Sequence, residues 1–227
     1  MASKRALIVW GGWEGHQPQQ VAKIFQRSLV EHGFEVSVED TLDAYTDTEL
    51  MNSLDLIVPV VTMSTIAKEQ EEALLTAVKR GVGVAGCHGG MCDAFRNNTE
   101  YQFMTGGQWV AHPGNDGVNY KVRITEPDHF ITRGAPTEFA VSSEQYYLHV
   151  DPAVKVLAVT EFPTADGPHV KNGPVAMPVI WTKYYGEGRV AYNSLGHQAN
   201  IVEIPPVLRL MTRAMLWAAN AESAAPA

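Results

Sequence analysis

Strand-like and helix-like segments alternate along the first half of the chain, and this alternation constrains the fold more than any other feature. Residues 6–10 (ALIVW) form a continuous apolar run, which is typical of a strand buried inside a parallel sheet. A helix is predicted from Pro18 to about Glu31, long enough to cross back over a sheet. The resulting β-α-β-β-α-β order predicts a mostly parallel sheet with helices on both faces. The other predicted elements of this half are strands at 34–38, 54–61 and 82–85 and a helix at 68–80.

The second half of the chain has a different pattern. Short alternating segments are separated by turn sequences such as TRGAP and YYGEG, which is typical of strands joined by tight turns. Since no linker or change of composition divides the chain, we expect one domain over residues 1–220 and a disordered tail at 221–227. The predicted strands are 120–124, 138–141, 154–159, 175–181 and 189–193, and an amphipathic helix is predicted at 206–219.

Composition and charge exclude several classes of function. The formal net charge is −8, so a basic surface for nucleic acid is not expected. The longest apolar runs are far shorter than the ~20 residues that span a bilayer, and the N-terminal segment lacks the pattern of a signal peptide. Cys87 and Cys92 are the two cysteines, and their C-x4-C spacing is not typical of metal or redox motifs. These features predict a reduced cytoplasmic protein with no nucleic-acid or membrane partner.

A glycine-rich turn follows the fourth predicted strand, in the stretch GVGVAGCHGGMCDAF at residues 81–95. Many α/β enzymes hold a nucleophile under backbone strain at such a strand-to-helix turn. His88 is predicted at the apex, and Cys87, one residue earlier, is expected to direct its side chain toward the sheet. A thiolate at a helix N-terminus beside a histidine is reactive, so Cys87 is an alternative nucleophile, although its position favours a structural role. Ligands bind at the carboxyl ends of parallel strands, so this turn and residues 11–16 are expected to lie side by side.

Four histidines lie in glycine-rich or turn-like segments beside predicted strands. Any one of them alone is more often structural than catalytic, but four at the ends of strand-like segments indicate a shared polar site. Glu144, in the segment SSEQYY, also follows a predicted strand, and its sequence fits a capping carboxylate and a functional one equally well. The four histidines are His16, His88, His112 and His197.

Two tryptophans near these segments have two interpretations each, and an aspartate has a structural one. Trp13 and Trp109 flank glycines rather than apolar neighbours. Exposed aromatic rings beside polar groups suit the faces of sugars, while packing in the core is the alternative. Asp93 follows the glycine-rich turn, and we expect it to be an acid in the first turn of a helix, stabilised by the helix dipole.

An ordered set of segments across nearly the whole chain resembles the ThuA-like (trehalose utilisation) family. These segments are VWGGWEGH, AGCHGGMCDAF, FMTGGQWVAHPG, DHFITRGAP, SSEQYYLHVDP and MPVIWTKYYGEGRVAYNSLGH. The resemblance implies a class I glutamine amidotransferase-like fold, which is a flavodoxin-like parallel sheet with helices on both faces and added antiparallel strands in the second half. True amidotransferases have the elbow G-x-C-x-G with a nucleophilic cysteine, whereas His88 fills that position here. Their C-terminal H-x-E pair has no match either, so glutamine hydrolysis is not expected.

The resemblance also implies carbohydrate catabolism beside a partner oxidoreductase that makes 3-keto sugars. A ketone at C3 acidifies the proton at C2, so a base there can drive elimination, hydrolysis or isomerisation of a glycoside. Histidine suits the role of the base, and a divalent metal held by histidines and a carboxylate suits the stabilisation of the enolate. We therefore expect an enzyme that acts on an oxidised (3-keto) glycoside. The alternatives are a non-catalytic sugar-binding module and, less favoured, a cysteine-dependent amidotransferase-like hydrolase.

The resemblance further implies which residues form the site. His88 and Glu144 are the first candidates for acid–base work, and His112 and His197 come next. A divalent metal, Zn²⁺ or Mn²⁺, is a possible cofactor, and a homodimer is the default assembly for such a fold. The predicted sugar contacts are Trp13, His16, Gln108 and Tyr146, and the candidate metal ligands are any three or four of His16, His88, His112, Glu144 and His197.

Overall fold

The computed structural model describes residues 3–224, in which nine strands form one mixed sheet and two further strands form a small separate sheet. The strands are β1 (Arg5–Gly12), β2 (Glu35–Glu39), β3 (Leu56–Thr62), β4 (Gly83–Cys87), β5 (Gly107–Ala111), β6 (Val118–Ile124), β7 (Glu138–Ser143), β8 (Tyr147–Val150), β9 (Lys155–Phe162), β10 (Val175–Tyr185) and β11 (Gly188–Asn193). The α-helices are α1 (Pro18–Glu31), α2 (Thr48–Ser53), α3 (Lys68–Lys79), α4 (His88–Cys92), α5 (Thr99–Thr105), α6 (Ala199–Val202) and α7 (Pro205–Ala218). Among the described residues, no helix is both long enough and apolar enough to cross a membrane.

The large sheet has a parallel half and an antiparallel half. Its strand order is β2-β1-β3-β4-β11-β10-β9-β6-β7, and the first five strands in this order run parallel. From β11 onward each neighbouring pair is antiparallel, and β5 pairs with β8 in the small sheet. This architecture confirms the predicted α/β fold, a flavodoxin-like parallel sheet with helices on both faces and added antiparallel strands in the second half.

Helices cover both faces of the parallel half, which explains why its central strands are apolar. Every residue of β3 (LIVPVVT) is buried, as expected for a strand that has a helix layer on each side. On one face, Phe25 of α1 and Met215 of α7 belong to the core cluster. On the other face, Leu74 of α3 belongs to a second cluster. The burial of these side chains removes apolar surface from water, which is the main favourable contribution to folding.

The predicted strands and long helices are all present, with bounds that differ by a few residues at most. Five short elements had not been predicted from the sequence: α2, α5, α6, β5 and β8. Local signals exist for α5, since the Asn98 side chain accepts a hydrogen bond from Tyr101 N at 2.8 Å and Gly106 ends the helix with φ +81°. The strands β5 and β8 have five and four residues and pair with each other rather than with the large sheet. Such short segments do not show enough alternation of apolar and polar residues to be predicted.

The C-terminal tail is ordered further than expected. Glu222–Ala224 forms a 3-10 turn, whereas disorder was expected from residue 221 onward. Ala221 is buried, and Arg189 Nη1 donates to Glu222 Oε1 at 2.5 Å, so these contacts fix the start of the tail. The remaining residues of the predicted tail, 225–227, lie outside the described part of the chain.

Candidate active site

The carboxyl ends of three strands in the parallel half of the sheet bring three of the candidate histidines together. His16 follows β1, His88 follows β4 and His197 follows β11, and these strands lie in one continuous parallel region with β3 between β1 and β4. The ring centroids of His16 and His88 are 4.9 Å apart, and those of His16 and His197 are 5.1 Å apart. The prediction that the two glycine-rich loops lie side by side is confirmed.

The turn after β4 holds His88 in a strained backbone conformation. His88 has φ +49°, in the left-handed region that non-glycine residues rarely adopt, and its side chain is fully buried. Two glycines make room for this geometry. A Cβ on Gly86 would lie 2.7 Å from Met91 Cβ, and a Cβ on Gly89 would lie 2.5 Å from His16 Cε1. Gly89 therefore lets the His16 ring approach the turn closely.

The hydrogen bonds of His88 determine which of its ring nitrogens carries the proton. Nδ1 lies 2.8 Å from the carbonyl oxygen of Ser194, which only accepts hydrogen bonds, so Nδ1 is the donor. Nε2 lies 3.0 Å from Glu144 Oε2. Burial lowers the pKa of His88, although its contacts with Glu144 act in the opposite direction. In the neutral ring, Nε2 presents a lone pair to the carboxylate, and a cation, either a proton or a metal ion, is needed between the two acceptors.

Glu144 is an ionised carboxylate at the centre of the cluster. Burial alone would raise its pKa, but the close approach of the His197 and His88 rings outweighs burial and lowers the pKa below its usual range. His197 Nδ1 lies 3.2 Å from Glu144 Oε2, but it is not aligned for a hydrogen bond. His16 Nδ1 lies 2.9 Å from Thr62 Oγ1. Burial, followed by the proximity of His88 and His197, lowers the pKa of His16 to about 3, so this ring is neutral near pH 7.

Four of the buried side chains offer ligand atoms that converge on one point. Each of these side chains offers one nitrogen or oxygen, and all four atoms lie within 4.8 Å of one another. A set of three imidazoles and one carboxylate is typical of sites for Zn²⁺ and other divalent transition metals. The bond from His88 Nδ1–H to a backbone carbonyl is the kind of outer contact that orients a metal-binding histidine. The four residues, which we call the His₃Glu cluster, are His16, His88, Glu144 and His197.

His112 belongs to the site but not to the His₃Glu cluster. Its Nε2 lies 3.8 Å from Glu144 Oε1, and 28% of its side chain is exposed. Within residues 3–224, its Nδ1 has no hydrogen-bond partner. His112 lines the small cavity described below and is more exposed than the histidines of the His₃Glu cluster, so part of its ring is accessible to a ligand, although the unpartnered Nδ1 is itself buried.

Glu144 is held through its own carbonyl group and through the residue that follows it. Tyr120 Oη donates to the carbonyl oxygen of Glu144 at 3.0 Å. The next residue, Gln145, is fully buried, and its Nε2 donates to Thr160 Oγ1 at 2.9 Å. Gln145 Oε1 accepts a hydrogen bond from Thr164 N at 3.0 Å. These bonds anchor the carboxylate on the antiparallel half of the sheet, opposite the histidines of the parallel half.

A cavity of about 110 Å³ opens beside the cluster and contains most of the predicted sugar contacts. The ring of Tyr146 stacks on His88 with 3.8 Å between centroids, and Trp13 is 46% exposed at the rim. Gln108 is the exception, because its Nε2 donates to the carbonyl oxygen of Trp109 and it lines a different groove. The cavity is lined by Trp13, His16, Thr62, Met63, Asp93, Arg96, Trp109, His112, Glu144 and Tyr146.

Asp93 and Arg96 are site residues that the sequence did not reveal. Asp93 lies at the C-terminal end of α4 rather than in a first helical turn, so the expected stabilisation by the helix dipole is wrong. Its carboxylate instead accepts hydrogen bonds from Arg96 Nε at 2.6 Å and Nη2 at 2.8 Å. The three-residue spacing of an acid and an arginine is too common to mark a site without the fold.

Cys87 lies below the turn and away from the cavity. Its thiol is buried in the core, and a Cβ on Gly196 would lie 2.8 Å from its Sγ. Burial raises the pKa of Cys87 to about 12, so the reactive thiolate is not formed near neutral pH. This environment is that of a structural cysteine, in agreement with the position inferred from the sequence.

Comparisons with known proteins support the same fold. A ThuA-like protein from Bacteroides uniformis superposes with a TM-score of 0.77 at 19% identity, covering 95% of this chain and 91% of the other. One from Parabacteroides merdae gives a TM-score of 0.73 at 18% identity, covering 96% and 90%. A β-galactosidase from Rahnella sp. R3 gives 0.61 at 17% identity, covering 98% of this chain and 31% of the enzyme. The sequence has no significant match among curated proteins.

A family model adds the evidence that these distant structural similarities lack. The model described as "ThuA: Trehalose utilisation" matches residues 5–218, which include the whole large sheet and every residue of the His₃Glu cluster. This match confirms the resemblance seen in the ordered sequence segments, and it points to carbohydrate metabolism. The chain belongs to the ThuA (trehalose utilisation) family.

Proposed function

We propose that this protein is an enzyme of carbohydrate breakdown that acts on an oxidised (3-keto) glycoside by acid–base chemistry with the help of a divalent metal. The observation that carries the proposal is the His₃Glu cluster, whose four buried ligand atoms lie within 4.8 Å of one another beside a cavity. A cluster whose inward-facing atoms are mainly acceptors costs free energy unless a cation occupies it. Membership of the ThuA family makes a sugar the natural ligand for the cavity.

The residues of the cluster fit a divalent metal, with Zn²⁺ or Mn²⁺ as the candidates. His16, His88, His197 and Glu144 would hold it, and a bound metal would supply a positive charge for an oxyanion that develops at the C3 carbonyl. The hydrogen bond from His88 Nδ1 to Ser194 O keeps Nε2 free of a proton, which is the form that a metal requires.

Proton transfer is assigned to His112, although His88 and Glu144 were the first candidates from the sequence. Both ring nitrogens of His88 have partners and its side chain is buried, whereas 28% of the His112 side chain is exposed and its Nε2 lies 3.8 Å from Glu144 Oε1, too far for a hydrogen bond. The imidazole of His112 takes the proton from C2, and the electron pair of that C–H bond forms the C2=C3 bond of the enolate. Return of the C=O bond at C3 moves that pair between C1 and C2 and expels the oxygen at C1. The His112 imidazolium then gives its proton to the departing oxygen.

Two observations favour this reaction over a cysteine-dependent hydrolase. The Cys87 thiol is buried, and its pKa is raised to about 12. The apex of the turn carries His88, whose ring is directed into the cluster. A cytoplasmic location, a homodimer and an oxidoreductase that supplies the 3-keto sugar complete the proposal.

Metal content and turnover test the proposal together. Elemental analysis of the purified protein is expected to give near-stoichiometric zinc or manganese, and His88→Ala is expected to abolish it. His149→Ala is the matched control, because His149 is exposed on β8 and outside the cluster. The protein is also expected to turn over a 3-keto glycoside, and His112→Gln is expected to lower kcat by about 10²–10⁴-fold while it retains the metal.

Each part of this test has an outcome that refutes it. If the protein stays metal-free after supplementation with Zn²⁺ and Mn²⁺, the proposal that a divalent metal takes part in the reaction is wrong. If the His112→Gln variant has the kcat of the wild type, the assignment of proton transfer to His112 is wrong. Binding of 3-keto sugars with no turnover under any metal condition identifies a sugar-binding module instead of an enzyme.

A further inference from the structure

A clamped arginine at the mouth of the cavity has no role in the proton transfers described above. Arg96 Nε and Nη2 donate to the carboxylate oxygens of Asp93, and the guanidinium lies over the ring of Trp109, 4.5 Å from its centroid. Asp93 holds one edge of the guanidinium and Trp109 covers one of its faces, so this planar group loses little further rotamer freedom when a ligand binds. In the part of the chain that the structure describes, its third nitrogen, Nη1, makes no hydrogen bond, so two N–H groups are available.

Two exposed apolar side chains share the cavity mouth with Arg96. Trp13 is 46% exposed and Met63 is 42% exposed, and both line the same cavity as Arg96. Large apolar side chains exposed beside a polar group are typical of binding surfaces. A pyranose ring has an apolar C–H face for an aromatic ring and hydroxyl groups for a guanidinium, so the mouth offers both kinds of contact that one sugar unit uses.

The size of the cavity shows where a second sugar unit would lie. Its volume of about 110 Å³ is well below the roughly 300–1,000 Å³ of pockets that enclose a whole small molecule. Only the reacting part of one ring fits beside the His₃Glu cluster. The unit bonded to that ring through the glycosidic oxygen must therefore extend into the mouth, where Arg96, Trp13 and Met63 are.

The charge of the mouth favours a neutral ligand. The Arg96 charge is balanced by Asp93 in a two-bond contact, so the pair has no net charge for a phosphate or carboxylate. The whole chain also has a formal net charge of −8. Hydroxyl groups accept hydrogen bonds from the free Nη1 without the need for a net positive charge.

We infer that Arg96 binds the hydroxyl groups of the leaving sugar and so makes the mouth selective for a neutral second sugar over a phosphorylated one. Asp93 and Trp109 act as positioning residues that hold the guanidinium. The inference rests on the proposed function for the identity of the reacting ring, but the binding of the second sugar is a property of the mouth alone.

Calorimetric titration in a His112→Gln background, in which turnover is expected to be slow, separates the two sugar units. The probes are a 3-keto disaccharide and the methyl glycoside of the same 3-keto sugar. Arg96→Met is expected to weaken binding of the disaccharide by at least about tenfold and binding of the methyl glycoside by less than about twofold, since the loss of one hydrogen bond to a charged group lowers affinity by about tenfold or more. Arg96→Lys keeps the charge but loses the two-bond contact with Asp93, and it is expected to weaken binding of the disaccharide by a similar factor. Arg123→Met is the control, because Arg123 is exposed on β6.

The outcomes distinguish this inference from the proposed function. Selective weakening of the disaccharide supports the role of Arg96, even where the wild-type protein turns over neither sugar and the proposed function fails. Equal weakening of both sugars, or no weakening of either, overturns the inference while turnover by the wild type upholds the proposed function. Failure of the disaccharide to bind any variant, or tighter binding of a phosphorylated disaccharide than of the neutral one, also overturns it.

Discussion

Replacing Glu144 with glutamine separates a metal centre from a simple hydrogen-bonded cluster. The two side chains have the same shape, but the amide nitrogen of glutamine donates a hydrogen bond where the carboxylate accepts one. His88 Nδ1 donates to Ser194 O, so Nε2 presents its lone pair to Glu144 Oε2 at 3.0 Å. An amide NH₂ at that place satisfies the lone pair. Glu144→Gln is therefore expected to leave the Tm of the metal-free protein unchanged or higher, and to remove the rise in Tm that metal causes.

The expected shift in Tm follows from mass action. Free metal at 100 times its Kd stabilises the folded wild-type protein by about 2.7 kcal/mol. For domains of this size, each kcal/mol changes Tm by about 2–4 °C, so the metal is expected to raise Tm by about 5–11 °C. If the loss of one of four ligands weakens affinity about 100-fold, the same metal concentration stabilises Glu144→Gln by about 0.4 kcal/mol, or about 1–2 °C.

Thermal unfolding of the chelated and metal-loaded proteins measures both quantities. Glu161→Gln is the matched control, because Glu161 is exposed on β9 and is not part of the cluster. Equal metal-induced shifts in the wild type and in Glu144→Gln refute the assignment of Glu144 as a ligand. A large decrease in Tm of the metal-free Glu144→Gln protein refutes the claim that His88 Nε2 and Glu144 Oε2 are both acceptors. It would show that His88 is protonated and that its ion pair with Glu144 stabilises the fold.

Three further substitutions test other parts of the structure. Gly89→Ala places a Cβ 2.5 Å from His16 Cε1, so it is expected to weaken metal binding by about 10–100-fold in a competition titration with a chelator. Cys87→Ala is expected to leave turnover of a 3-keto glycoside within about twofold of the wild type, and alkylation of the native protein is expected to have no effect on turnover, because the buried Cys87 thiol has a raised pKa. The hydrogen bond from Lys183 lowers the pKa of Asp151, so the stability that it provides is present above about pH 4 and is lost as the pH falls through the lowered pKa. Asp151→Asn leaves the buried Lys183 charge without its partner, and chemical denaturation is expected to show a loss of about 2 kcal/mol at pH 7 that shrinks below pH 4.

The sequence predicts the parallel half of the fold well, because its strands and helices follow strong rules. A strand covered on both faces must be apolar throughout, as β3 is, and a crossover helix must have one apolar face, as α1 has. The convergence of His16, His88 and His197 follows from the same topology, since parallel neighbours end at one edge of the sheet. Periodicity and topology together therefore predict where the site lies.

The contacts made by the antiparallel half are not predictable in this way. The backbone at Glu144 is held by Tyr120 of β6 and, through Gln145, by Thr160 of β9, which are far from it in the sequence. Gln108 was predicted as a sugar contact, but its side chain lines a groove on the opposite face of β5 from the cavity. Successive residues of a strand face opposite sides, so a shift of one position reverses the face. Such side-chain orientations depend on register, which a single sequence does not determine.

The most direct test of the account is the location of the metal in the protein itself. Crystals grown with Zn²⁺ or Mn²⁺ and measured at the absorption edge of that metal give an anomalous difference map that locates the ion. One strong peak is expected, bonded to nitrogens of His16, His88 and His197 and to an oxygen of Glu144, at about 2.0–2.2 Å for zinc. A map with no peak in the cluster, or with the metal held by other residues, contradicts the central claim that these four side chains form a metal centre.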